Sequence, residues 1–446
     1  MSERKEVKPL GILVALLIAI IFYLLGFPVS EQAHFVLVIA VFTGTLWFTE
    51  ALPLHVTAMF STVLLIIFAG IAPATAFSQY FAPTIVLFFG GFMIARAMQK
   101  HGLDRQIAFG FISRIGNDPA VFVLGLMVVT AFLSLWISNT AATAIMLPIG
   151  LFAVTKAGLK PLQSGFAKAV VLGIAFAATI GGIGTLVGTP PNGITVAGLA
   201  HEGIEVSFLE WMYYGMPFVV LFIPIAWFIL MRVYPSEIGK IEIMREKSKW
   251  TKEHKLILLV GALTILAWVT SFIHSIADAV VAIGAVILLY VVGLLKTEDV
   301  SKIEWSALLL FGGGLALGAA IDSSGLGSYI GSLLVSIVSG QAKFVLFLLV
   351  LAFAVVMTLS ASNTATAALL VPIVLPLAKM LGVGMKQLAI LAGMGTSLDF
   401  LVPVGTPPSA IAYSSGYITV WDMFRAGIFI TISGILLLAG MAWLYW

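Results

Sequence analysis

Two copies of Ser-Asn-Thr lie inside long apolar runs, Ser138-Asn139-Thr140 and Ser362-Asn363-Thr364. Five residues before each asparagine stands a hydroxyl, Ser134 and Thr358. Each copy is followed by a Gly-Thr-Pro-Pro loop, Gly188-Thr189-Pro190-Pro191 and Gly405-Thr406-Pro407-Pro408. Hydroxyls, amide oxygens and freed backbone carbonyls are hard oxygen ligands, and a set without carboxylates suits a monovalent cation such as Na⁺. A spacing of five is off one face of a regular helix, so the helix must unwind for hydroxyl and asparagine to share a cavity. The carbonyls of Gly188 and Gly405 complete the two candidate ion sites. A half-helix starting after Ser-Asn-Thr also presents free amides and a positive dipole end, which suits an anion. The asparagine amide and threonine hydroxyl add neutral donors. None of the seven arginines, and no lysine, falls within the four motifs. An anion held there meets amides, hydroxyls and co-bound cations. Moving an anion into low dielectric costs several kcal/mol unless opposite charge accompanies it, and this couples the two solutes.

Such motifs need a membrane-spanning frame. The 446 residues are 61% hydrophobic and 10% charged, with a mean hydropathy of +1.13, whereas soluble domains carry roughly 25% charged residues. Apolar stretches at 9–27, 35–48, 53–71 and 256–272 approach the ~20 residues a crossing requires, and the chain holds about a dozen crossings or re-entrant pieces on that rule. The sequence therefore predicts an all-α polytopic protein of the cell's inner (plasma) membrane. Without cysteine, disulfides and thiolate chemistry are excluded. The net charge of +3 is small, and the basic residues sit in loops, where they set topology rather than bind nucleic acid. Arg4, Lys5 and Lys8 precede a first helix read as retained. The polar linker 232–255 carries seven basic residues against four glutamates. Both segments are expected to be cytoplasmic. Trp443, Tyr445 and Trp446 resemble an aromatic belt at the other face.

The motifs belong to a larger repeat. Phe89-Gly90-Gly91 and Phe311-Gly312-Gly313 are 222 residues apart, the asparagines 224, and the Gly-Thr-Pro-Pro loops 217. Paired breaks at matching places in two halves point to a transporter binding site, and an odd number of crossings per half would invert the repeats. The glycine-rich stretches 83–98 and 305–320 are read as re-entrant hairpins. Each is followed by a long helix broken at Ser-Asn-Thr and another broken at Gly-Thr-Pro-Pro, where proline stops a helix.

Competing chemistries are limited. Proton coupling needs a titratable group near the site. Asp399 is the nearest, and its counterpart at the 217-residue spacing is Gly182. Glu50, His55, Asp278 and Asp322 read as interfacial or capping residues, and the aromatic residues as packing or belt. A channel is disfavoured by paired broken helices. An enzyme is disfavoured because there is no His-Glu-x-x-His, no cysteine nucleophile and no serine–histidine pair at the motifs.

At these residues the chain resembles the divalent-anion:sodium symporter family, which includes the dicarboxylate and citrate carriers often called INDY proteins, within the ion-transporter superfamily. The resemblance rests on the paired Ser-Asn-Thr signatures, the glycine segments and the two Thr-Pro-Pro loops, and covers nearly the whole chain. It implies an elevator-type homodimer in the lipid bilayer with Na⁺ as coupling ion. The scaffold would comprise residues 1–78 and 201–300. The transport domain would comprise 79–200 and 301–418, with a final helix at 419–446. One sodium site would use Ser134, Ser138, Asn139 and Gly188, and the other Thr358, Ala361, Asn363 and Gly405. Substrate carboxylates of a di- or tricarboxylate, C4 acids such as succinate, malate and fumarate first, would meet Asn139, Thr140, Thr189, Asn363, Thr364, Thr406 and Pro407. The chain departs from the family pattern at Leu359, Asp399 and Ser409. Dicarboxylate exchange, transport of another anion such as sulfate, and cation/proton antiport stand as alternatives.

Overall fold

The computed structural model describes residues 7–241, 250–338 and 340–446. Arg4 and Lys5, and Arg245, Lys247 and Lys249 of the basic linker, lie outside these. An extra first helix, α1 (Pro9–Leu24), precedes two sets of helices that correspond in order apart from one short helix in each. The first set is α2 (Glu31–Thr49), α3 (Leu54–Phe68), the short α4 (Pro73–Ser78), α5 (Pro83–His101), α6 (Leu103–Ile112), α7 (Pro119–Ser134), α8 (Asn139–Lys156), α9 (Gly165–Gly182), α10 (Pro190–His201) and α11 (Phe208–Val233). The second set is α12 (Lys252–Val269), the short α13 (Ser271–His274), α14 (Asp278–Val291), α15 (Trp305–Ser323), α16 (Leu326–Val338), α17 (Lys343–Thr358), α18 (Asn363–Leu381), α19 (Met385–Gly395), α20 (Pro407–Ser414) and α21 (Val420–Leu444). Seven helices among the described residues are long and apolar enough to cross a membrane. The repeat thus runs from α2 to α11 and from α12 to α21.

The glycine runs do not break helices. Gly90 and Gly91 lie inside α5, and Gly312, Gly313 and Gly314 inside α15. Their role is close approach. A Cβ on Gly90 would lie 2.5 Å from that of Ala282 in α14, and one on Gly313 would lie 2.6 Å from the Ala58 carbonyl in α3. Without a hydrophobic drive between helices in lipid, small residues that let backbones approach supply the association. Each half therefore lends a glycine face to a helix of the other. The chain turns after α5 and α15 at Gly102 and Gly325, with φ of +71° and +78°, a conformation that costs only glycine little.

The re-entrant hairpins lie instead at the Ser-Asn-Thr motifs, where the sequence alone suggests one long interrupted helix. A Cβ on Gly150 of α8 would touch Leu126 of α7 at 3.6 Å. Were α7 and α8 collinear, these residues would be roughly 36 Å apart. The chain folds back at 135–138, and α7–α8 is a helical hairpin with Asn139 at its tip. α17 and α18 pair in the same way.

The two hairpins open at opposite ends of α11. Near the end of α11, Trp227 Nε1 donates to the Ala120 carbonyl at the start of α7 (2.9 Å). Glu237, just beyond, accepts from the Phe166 amide at the start of α9 (3.1 Å). At the beginning of α11, Glu210 pairs with Lys386 at the start of α19 (2.6 Å). Tyr213 stacks on Tyr445 after α21, with centroids 4.7 Å apart, and Phe344 of α17 meets Trp443. With 26 residues, α11 is about 39 Å long, enough to cross a bilayer. The halves are inverted, with the linker and the C-terminal aromatic residues at opposite ends of α11.

A buried ion pair pins α5 to the turn before α15. Asp299 accepts from Lys100 (2.6 Å) and lies 3.0 Å from Arg96. Burial pushes the Asp299 carboxyl up, but hydrogen bonds from Lys100, the Lys296 amide and Arg96 outweigh it and hold the pKa at about 2, below the ordinary 3.8. Stability from a depressed carboxylate is present above its unfolded pKa and is lost as pH falls through the folded one. Asp299→Asn should therefore lower Tm in detergent at neutral pH, and the gap to wild type should close as pH falls from about 4 toward 2. The hairpin has its own check in this cysteine-free chain. Cysteines introduced by Leu126→Cys and Gly150→Cys should be joined by a thiol cross-linker with a reach of about 10 Å, well short of the ~36 Å of a collinear helix, and no cross-link at all would sink the hairpin.

Candidate functional site

At the first tip, Ser138 is the N-cap of α8, its hydroxyl accepting from the Ala141 amide (3.4 Å). Ser362 caps α18 in the same way through Ala365 (3.2 Å). Both serine hydroxyls are thus engaged in starting the return helices. The amides of Asn139 and Thr140 at one tip, and of Asn363 and Thr364 at the other, meet no backbone acceptor among the described residues. They lie at positive helix ends. The Thr140 and Thr364 side chains are half-buried and lack side-chain partners among the described residues.

The expected hydroxyl–asparagine pairs are present at both tips. Ser134 Oγ lies 2.7 Å from Asn139 Oδ1 and 2.7 Å from the Ala178 carbonyl of α9. Thr358 Oγ1 lies 2.6 Å from Asn363 Oδ1 and 3.0 Å from the Thr396 carbonyl after α19. A hydroxyl has one proton, so each trio of close oxygens is one proton short. Ser134 and Thr358 are fully buried, where surplus lone pairs are costly. A small monovalent cation bound there would relieve this. The carbonyls of Ala178 and Thr396 are absent from the sequence expectation, because a backbone carbonyl leaves no mark in residue type.

Glycines bring the other expected ligands close. A Cβ on Gly182 would overlap Asn139 Oδ1, and one on Gly188 would overlap the Gly182 carbonyl. Gly405 instead abuts the Asp399 carboxyl. Ala361 is buried in the second tip turn, and its amide donates to the Met357 carbonyl (3.0 Å).

The breaks differ in how their carbonyls are satisfied. In the first, Asn192 Nδ2 donates to the Gly182 and Thr185 carbonyls (2.9 and 2.7 Å), and Trp211 Nε1 to Ile183 (3.0 Å). Thr185 Oγ1 donates to the Leu135 carbonyl of the tip (2.5 Å). The second break has Val402 and Ser409 where the first has Thr185 and Asn192. Ser409 turns inward to Thr406, whose hydroxyl caps α20 (3.2 Å). Thr189 starts α10 without such a side-chain cap, so its hydroxyl is available and that of Thr406 is occupied. Prolines fill the first two positions of α10 and α20, which removes two amide donors from each. The helix starts that keep their first amides are those of α8 and α18. Pro407 is exposed. The halves also cross here, with α20 packing on α8 and α10 on α18.

Inverted halves, opposed hairpins and two helices broken at mid-course are the architecture of a secondary transporter. The chain belongs to the sodium:sulfate symporter family, the divalent-anion:sodium symporters. The family model described as the sodium:sulfate symporter transmembrane region matches residues 4–446. An uncharacterized transporter of Haemophilus influenzae is 33% identical over 98% of this chain and 97% of its own length. The sodium-dependent dicarboxylate transporter SdcS of Staphylococcus saprophyticus is 33% identical over 98% and 92%, and that of Staphylococcus aureus strain USA300 is 34% identical over 97% and 91%. Two solved transporters share the fold. MtrF of Neisseria gonorrhoeae gives a TM-score of 0.59 at 15% identity over 97% of this chain and 93% of its own. YdaH of Alcanivorax borkumensis gives 0.58 at 14% over 83% and 87%. The protein is a multi-pass membrane transporter and not an enzyme.

Tip placement can be tested by stability. Gly182→Ala drives a methyl into Asn139 and should cost about 1–3 kcal/mol, as overpacking does. Gly261→Ala in α12, with nothing within 4 Å, should change stability by less than about 1 kcal/mol. Equal Tm shifts for the two would refute the close approach.

Proposed function

We propose that the protein is a Na⁺-coupled symporter of small di- or tricarboxylates in the cell's inner (plasma) membrane, with C4 acids such as succinate, malate and fumarate as first candidates. The observation that carries this is the pair of buried, proton-deficient oxygen trios at Ser134–Asn139 and Thr358–Asn363. Each lies beside a tip whose free amides face an anion. Na⁺ binds Ser134, Asn139 and the Ala178 and Gly188 carbonyls at one site, and Thr358, Asn363 and the Ala361, Thr396 and Gly405 carbonyls at the other. Ser138 shapes the first site through its cap. One carboxylate meets Asn139 and Thr140, the second Asn363 and Thr364, with Thr189, Thr406 and Pro407 at the rim. Cations bound first make anion entry affordable, because the motifs hold no lysine or arginine. The names of the staphylococcal relatives support sodium and a dicarboxylate.

Transport proceeds as an elevator within a homodimer. The packing supports a moving body of α7–α11 and α17–α21, since α11 and α21 pack on each other and on α9 and α17. The frame is then α1–α6 and α12–α16, held by the α5–α14 and α15–α3 contacts. This moves the glycine helices from the transport domain to the frame, and α11 and α21 into the moving body.

Radiolabelled succinate uptake into proteoliposomes, with an inward Na⁺ gradient against an equal K⁺ gradient, tests the reading. Uptake should require Na⁺, and Asn139→Ala and Asn363→Ala should each reduce it at least tenfold while eluting like wild type. Uptake that needs only internal dicarboxylate would replace symport with exchange. Wild-type uptake in both variants would remove the tips from the site.

A further inference from the structure

The second break contains a carboxylate that the symmetric plan lacks. Asp399 is fully buried, and both of its oxygens lack a hydrogen-bond partner among the described residues. The Leu401 amide approaches it but falls short of bonding geometry. No lysine, arginine or histidine among the described residues pairs with it. A buried carboxylate without a counter-charge is strongly disfavoured. To stay ionised it needs a cation beside it.

Its position says which. At the 217-residue spacing Asp399 corresponds to Gly182, the residue whose Cα lies against Asn139 Oδ1 at the first oxygen trio. Asp399 is three residues from Thr396, whose carbonyl belongs to the second trio. Its carboxyl is wedged against Gly405, on the other strand of the break. The backbone makes room for it, because α19 stops at Gly395 whereas α9 continues to Gly182. The second break thus spans residues 396–406 and the first only 183–189. Counterparts of the first break's donors Thr185 and Asn192 are also missing, so no amide or hydroxyl of that kind competes for the carboxylate.

We propose that Asp399 is an anionic ligand of the second cation site. The two sites then differ in charge: the first is built of neutral oxygens, and the second adds a carboxylate and takes its cation first and more tightly. This rests on the sodium reading above and goes beyond it by ranking the sites.

Na⁺-dependent thermal stabilisation of the purified full-length protein in detergent tests it, with KCl replacing NaCl at constant ionic strength. Wild type should respond in two phases. Asp399→Asn and Asp399→Gly, the latter restoring the first repeat's residue, should raise the Na⁺ concentration of the tighter phase at least tenfold. Independently of any change at Asp399, Ser134→Ala should remove the weaker phase and Thr358→Val the tighter one. An Asp399→Asn curve superimposed on wild type would mean a protonated, structural side chain and would overturn the proposal. So would equal weakening of a single phase by Ser134→Ala and Thr358→Val. No Na⁺-specific stabilisation of wild type would overturn the sodium reading itself, and this proposal with it.

Discussion

Hydrocarbon offers no hydrogen bonds, and every opened helix in this protein must answer that constraint. Four helical interruptions lie within the bundle, at two hairpin tips and two breaks. Each frees carbonyls and amides that elsewhere would be paired along a helix. The protein satisfies some internally, through Ser138 and Ser362 at the tips and Asn192, Thr185 and Trp211 at the first break. What it leaves unsatisfied is directional. Surplus oxygen collects behind each tip, and surplus N–H points forward from it. On the proposed function, the surplus oxygen takes the cation and the surplus N–H the anion.

The symmetry is close at the hairpin tips and relaxed at the breaks. Ser134 and Thr358 perform the same act at matching positions, differing by one methyl group. The breaks do not match so closely. The first is closed by an asparagine, a threonine and a tryptophan. The second is longer, lacks those donors and encloses Asp399. Duplication supplies two similar frames, and inequivalent filling gives them different chemistry.

Much of the site was legible because unusual residue types mark it. Asparagine beside hydroxyls in an apolar run, and proline pairs after glycine, are hard to explain as packing. The repeat was visible for the same reason, and its inversion follows once Glu210 and Glu237, at opposite ends of α11, are seen to hold the starts of α19 and α9. The hairpins were misplaced because hydropathy reports burial and not direction. Two apolar segments of 16 and 18 residues around a short polar turn read alike whether they continue or fold back. Glycine was equally ambiguous. In α5 and α15 it permits contact between backbones rather than breaking a helix. The carbonyls of Ala178 and Thr396 had no signal, since any residue supplies one.

The crossed glycine contacts also constrain how the chain is made. Gly90 meets Ala282, and Gly313 meets Ala58, so each contact joins residues about two hundred or more positions apart. Synthesis at roughly 5–20 residues per second delivers the partner of α5 some 10–40 seconds after α5 itself. Through that interval the first half resides in lipid with its small-residue face unmatched. No half of this protein is a domain in the folding sense, and the ribosome must pass α15, well into the second half, before these contacts of the first half can close.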